Sequence, residues 1–161
     1  MDPRIAPLAE ILQLNTRLFR NCLDGMTEEQ ADMRPSHSTN SAAFVAAHLA
    51  DSRYFLLRIL GAERPNPLAP YLEGRRSIDE VAESPPLPAI ESAWLDGAVA
   101  IRERLDSITA VELDTAFPTR FPVNDQTVLG VLTFLVQHDS YHVGQLALLR
   151  KYAGFPAMKY A

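Results

Sequence analysis

Apolar residues return at helical spacing in four separate stretches of the chain. From Ile5 to about Leu23, the residues Leu8, Leu12, Leu18, Phe19 and Cys22 share one side, with Arg17, Arg20 and Asn21 left for the wet side, which predicts a first helix. Thr27-Glu28-Glu29-Gln30 has the capping-box pattern and predicts a short helical turn before Pro35 interrupts it, with a loop from about Arg34 to Asn40. A second helix, capped by Asn40 or Ser41, runs to about Leu60, where Gly61 supplies a stop signal. Its inward stripe reads Phe44, His48, Asp51, Phe55 and Ile59. A third helix, from about Ala89 to Ile108, carries Trp94, Ala98, Ile101, Leu105 and Ile108 in a rhythm suited to bundle packing. The fourth, from about Thr127 to Ala153, is the clearest: Val131, Leu135, His138, His142, Leu146 and Leu149 form one stripe, and Gly154 and Pro156 end it.

The connections read differently. Prolines from Pro65 to Pro70 and at Pro85, Pro86 and Pro88 mark a long crossover between the second and third helices, interrupted by Ser77 to Val81, which has room for one helical turn. Thr109 to Gln126 mixes Phe117, Phe121 and Val123 with Pro118, Pro122 and Asp125, compatible with a short extended excursion but not with a sheet. Four amphipathic helices predict an all-α four-helix bundle, and 161 residues fit a single domain spanning 1–161.

Composition narrows the function classes. The chain is 47% hydrophobic and 22% charged, ordinary for a globular domain. A formal net charge of -5 and the lack of a basic run argue against nucleic acid or an anionic membrane as the main partner. Met1-Asp2-Pro3-Arg4 does not resemble a signal peptide, no apolar run is long enough to span a bilayer, and the single cysteine cannot form an internal disulfide. Together these lead us to expect a cytoplasmic protein.

The informative chemistry lies in the stripes. Two of the inward positions of the fourth helix are His138 and His142, four apart and therefore on one face, and His48 interrupts the stripe of the second helix. A buried imidazole loses hydration that a hydrogen bond or a metal must replace. Three histidines on facing helices can supply a three-ligand set that leaves a position open for water or substrate. Such a site suits zinc, nickel, cobalt or iron, with zinc or nickel preferred. The bland alternative is that each histidine is a satisfied core residue. Rings more than about 8 Å apart would rule out a shared ion, since Zn–N bonds are only about 2 Å long.

Around this set, Asp51 and Gln145 each follow a histidine by three residues and are candidates for orienting an imidazole or contacting substrate, or are solvent-side polar groups. Tyr54 and Tyr141 offer hydroxyls. Cys22, on the apolar side of its helix, reads as buried and inert, His37 as a solvated loop residue, Arg75-Arg76 as a wet loop pair able to attract an anion, and Trp94 as core. The run His138-Asp139-Ser140-Tyr141-His142 also resembles the zincin pattern, but Asp139 stands where that pattern has Glu and no further ligand follows, which disfavours a peptidase.

The run from His138 through Val143-Gly144-Gln145-Leu146, together with His48 to Tyr54 after a Ser41-Ala42-Ala43-Phe44 lead, resembles the DinB-like superfamily. That resemblance implies a four-helix bundle of up-down-down-up connectivity, a homodimer, and a divalent ion held by His48, His138 and His142. It also implies a thiol-dependent transferase or isomerase using bacillithiol, mycothiol or glutathione, or a hydrolase. The alternative is a non-catalytic, metal-binding or stress-related dimeric module. Relatives often carry Glu at the position of Asp139, so an acid/base role does not carry over to this carboxylate.

Overall fold

In the computed structural model, which describes residues 1–72, 74 and 77–160, seven α-helices follow one another: α1 (Ala6–Leu23), α2 (Glu28–Asp32), α3 (Ala42–Ile59), α4 (Ala69–Leu72), α5 (Leu87–Ser107), α6 (Ala110–Leu113) and α7 (Val128–Tyr152). Among the described residues the only β-type pairing is an isolated bridge between Ala116 and Thr127. The Arg75-Arg76 pair lies outside the described residues.

The ends of the helices follow from local chemistry. Thr27 Oγ1 accepts from the Gln30 backbone N–H at 3.2 Å while the Thr27 N–H donates to Gln30 Oε1 at 3.0 Å, completing the capping box that starts α2. Ser41 Oγ accepts from the Phe44 N–H at 3.1 Å and settles the start of α3 on Ser41 rather than Asn40. Thr127 caps α7 through the Gly130 N–H, and Gly154 takes a positive φ of 87° just past its end. Gly130 is needed for a second reason: a Cβ at this position would stand 1.9 Å from the Asp125 backbone oxygen. The crossover holds α4 and a 3-10 turn at Ile78–Glu80, the latter within the predicted Ser77 to Val81 turn. The segment after α5, where a short extended excursion but no sheet was expected, opens with α6, capped by a Thr109–Glu112 box.

Four long helices make the core. α3 packs on α5 and α7, and α1 packs on α7 and α5. Trp94 is fully buried at the centre and stacks on Phe19 with ring centroids 4.3 Å apart and planes 19° apart, a pairing that adds to the burial of two large rings. The predicted core positions Ile101 and Leu105 of α5, Ile108 just past its end, and Val131, Leu135 and Leu146 of α7 are all buried, while Ala98 and Leu149 are half-buried.

The inward stripe expected for α3 is displaced. Phe44, His48, Asp51, Phe55 and Ile59 are half-buried, and the fully buried face is instead Val45, Ala46, Leu49, Ala50, Arg53, Leu56 and Leu57. This helix is rich in alanine, so its core face is flat and weakly marked in sequence, and the bulkier residues belong to an adjoining, partly open face. No helix among the described residues is long and apolar enough to cross a membrane.

Candidate metal centre

The half-buried face of α3 meets the corresponding face of α7. His48 and His138, ninety residues apart in sequence, bring their Nε2 atoms to 3.1 Å. The three imidazoles are mutually edge-on, with centroid separations of 5.0 Å (His48–His138), 4.8 Å (His48–His142) and 4.4 Å (His138–His142). These values lie well inside the 8 Å limit set from bond lengths. One nitrogen from each ring falls within 4.8 Å of the other two, so this cluster can hold a metal ion.

The donor set fits a first-row divalent ion. Nitrogens bound about 2.0–2.1 Å from one tetrahedral ion stand roughly 3.4 Å apart, so the His48–His138 pair is nearly placed and the widest separation closes with a side-chain shift on the order of 1 Å. His142 Nδ1 lies 2.6 Å from Gln145 Oε1. With Nδ1–H donating to that oxygen, Nε2 keeps its lone pair free, the arrangement by which an outer partner fixes a ligand's tautomer. Gln145 Nε2 in turn donates to the Tyr141 hydroxyl at 3.1 Å, and the Tyr141 ring stands edge-on to His142.

His138 Nδ1 is the one buried side-chain nitrogen or oxygen among the described residues without a hydrogen-bond partner. An orphaned N–H costs more than an orphaned lone pair, so the favourable arrangement in the metal-free protein has His138 donate Nε2–H to His48 Nε2. Ligation through Nε2 would move that proton to Nδ1.

The cluster sits in a place that favours neutral imidazoles. Burial pushes His48 down to about 4, assisted by the charge of His142, and pushes His138 down to about 4 with help from His142 and His48. Burial also lowers His142, with its Gln145 hydrogen bond opposing. The folded-state values lie below the ordinary 6.5, so as pH falls the unfolded chain takes up protons first, and stability present above pH 6.5 is lost on descent towards 4. Allowing for partial exposure, the metal-free protein is expected to lose on the order of 2–3 kcal/mol between pH 7 and 4.5. Urea midpoints at pH 7.5, 6.0 and 5.0 check this against His48→Gln/His138→Gln, whose profile should be flatter. Equal slopes in the two proteins would contradict it.

The other candidates fall into two groups. Gln145 joins the cluster through His142, whereas Asp51 is held away in a hydrogen bond from Asn66 Nδ2 to its Oδ1 at 2.6 Å and is not one of the clustered residues. Burial raises the Asp51 carboxyl above its usual range. Tyr54 is buried, His37 is exposed in its loop, and Cys22 is buried with its thiol pushed up to about 11 by burial. Beside the cluster stands a run of half-buried rings, Phe55, Phe121 and Phe134, in successive contact up to His138.

Sequence reasoning missed one arrangement behind the histidines. Asp139 is 3% exposed and turns from its neighbour His138 into the core, where Arg53, 1% exposed, donates to its Oδ2 from Nη2 at 3.3 Å and from Nε at 3.4 Å. Arg53 also donates to Thr16 Oγ1 at 2.9 Å and to the Leu12 carbonyl at 3.3 Å, and its guanidinium carbon lies 3.1 Å from the centroid of the Trp94 ring. Asp139 therefore does not take the place of a zincin carboxylate. Asn15 makes a smaller link of the same kind, its Nδ2 donating to Ser140 Oγ at 2.9 Å.

The comparisons with known proteins agree with this architecture. No curated protein matches the chain. Among solved structures, the fold is similar to a conserved protein from Enterococcus faecalis, with a TM-score of 0.74 at 16% identity over 92% of this chain and 96% of that one. It is also similar to the DinB-like protein YjoA from Bacillus subtilis, with a TM-score of 0.65 at 12% identity over 95% of this chain and 96% of that one. At such identities the likeness bears on the fold alone. The sequence itself carries the assignment: residues 11–146 match the profile of the DinB superfamily, and the chain belongs to that superfamily.

Proposed function

We propose that this protein is a metal-dependent enzyme whose three-histidine centre serves the transfer of a low-molecular-weight thiol, or of water, to a small electrophile. The observation that carries the reading is the convergence of His48, His138 and His142 from two helices on one point. A divalent ion there, zinc or nickel, would lower the pKa of a bound thiol or water towards neutrality, because three neutral imidazoles leave its charge uncompensated.

The chain's own residues contribute the rest. Burial keeps the imidazoles in the free-base form that ligation requires. Gln145 accepts from His142 Nδ1–H and orients that ring, while Tyr141 anchors the Gln145 amide. The half-buried wall of Phe121 and Phe134 favours an apolar electrophile beside the centre. Asp51, three residues past His48 and with a raised carboxyl pKa, is the candidate for moving a proton, released from Asn66 when substrate enters. The same reading has the protein act as a cytoplasmic homodimer.

The alternative is a non-catalytic, metal-binding or stress-related module, in which the same three histidines hold the ion without turning over a substrate.

Elemental analysis of tag-free protein, followed by a thiol-transfer panel with and without chelator, separates the readings. The enzyme reading expects about one ion per chain and turnover abolished by chelation with the fold intact. His48→Ala is expected to weaken metal binding at least about tenfold, as loss of one of three ligands should. Full metal content in His48→Ala would remove His48 from the ligand set, and bound metal without turnover would favour the module.

A further inference from the structure

Every ion pair among the described residues other than Arg53–Asp139 has at least one side chain 39% or more exposed. In Arg53–Asp139 both side chains are buried, 1% and 5% exposed. Its guanidinium reaches each of the other three long helices: α1 through Thr16 and Leu12, α5 through the Trp94 ring, and α7 through Asp139. α5 makes room for it with Gly97, where a Cβ would come within 3.2 Å of Arg53 Cβ.

Stability alone does not account for such a pair. Well-packed apolar side chains of similar volume commonly do as well or better, because two charges taken out of water lose more hydration than their attraction returns. What apolar contacts lack is direction. Hydrogen bonds of a planar guanidinium fix both the rotation and the axial position of the helices they join, while aliphatic surfaces tolerate sliding.

The joined helices are the two that carry the histidines. Asp139 is adjacent to His138, and Arg53 lies five residues beyond His48, about 7.5 Å along the helix axis. A slip of α3 against α7 by a single residue's rise, about 1.5 Å, would stretch the His48–His138 contact from 3.1 Å to roughly 3.4 Å when directed across it, beyond the usual hydrogen-bond length, and further for any component along it.

We infer that Arg53 and Asp139 are positioning residues of the histidine centre: the buried pair holds α3 and α7 in the register that brings His48 and His138 together. Its consequence for metal affinity rests on the proposed function, but its consequence for the imidazole geometry does not.

The test is Arg53→Met/Asp139→Leu, which replaces the pair by apolar side chains, compared with the wild type in cobalt(II) titrations and in imidazole ¹⁵N spectra of the metal-free protein at pH 7.5. The double variant is expected to keep or raise its melting temperature, to bind cobalt about 10–100-fold more weakly with altered visible absorption, and to lose the opposite fixed tautomers of His48 and His138. Wild-type affinity and wild-type tautomers in the folded double variant would overturn the inference. Should that variant fail to fold, Arg53→Lys, which keeps the charge but loses the planar fork that fixes the register, decides by the same spectra: mixed tautomers support positioning, unchanged ones refute it. If the wild type binds no cobalt, the metal reading fails, and the metal-free spectra still decide whether the pair positions the rings.

Discussion

Asp139→Ala is expected to lower the free energy of unfolding by about 3–5 kcal/mol, the range found when one partner of a buried ion pair is removed. Arg53 would be left 1% exposed with its charge unanswered, although Thr16, the Leu12 carbonyl and the Trp94 ring would still surround it. A domain of this size has roughly 5–15 kcal/mol in total, so the variant should sit near its unfolding threshold at 37 °C. The expected loss is well above that for an exposed pair such as Arg102–Asp106, whose removal should cost less than about 1 kcal/mol. Chemical denaturation of the two single-alanine variants in parallel measures the contrast. Similar losses at both sites would mean that the interior admits water to Arg53.

The second large effect is expected at Gly130→Ala, with a loss of about 3 kcal/mol or more. Alanine normally stabilises a helix relative to glycine by about 1 kcal/mol, so the ordinary expectation has the opposite sign. Here the added methyl would stand 1.9 Å from the Asp125 carbonyl oxygen and 2.9 Å from its Cβ, and the obstacle is backbone. Relief requires moving the turn in which Asp125 Oδ1 accepts from the Thr127 N–H at 3.0 Å and hydroxyl at 2.7 Å, the turn that delivers the cap of α7. A melting temperature unchanged from the wild type would show that this turn yields freely. Gly144→Ala, where nothing lies within 4 Å, is the matched control and should be neutral or stabilising.

Much of the fold was legible because it is written locally. Ser41, Thr27 and Thr127 cap the helices they were expected to start, since a cap depends on residues three apart in sequence. The box of Thr109 and Glu112 follows the same rule and was readable, but the prolines and aromatics after it drew the whole segment towards an extended reading. The histidine cluster was legible in part for a similar reason, as four-residue spacing places His138 and His142 together without tertiary information. That His48 joins them required the fold.

The α3 face shows where this kind of reading ends. Bulk and spacing pointed to Phe44, His48, Asp51, Phe55 and Ile59 as inward, whereas alanines fill the true core side because α5 approaches closely there. Arg53 and Asp139 were unreadable for a different reason. A charged side chain is by default solvated, and only the meeting of two of them across eighty-six residues makes burial tolerable. In the sequence, Asp139 drew attention for its place in a histidine motif, and in the structure it flanks the histidine face and turns into the core, where Arg53 meets it.

Cys22 lies at the seam between α1 and α7 with no exposed surface, its Sγ facing the Val143 carbonyl at 3.9 Å. A disulfide-exchange reagent added to the solution can touch this sulfur only during moments when the two helices part. The kinetics of its modification therefore time the breathing of the bundle beside its histidine face, with no label needing to be introduced.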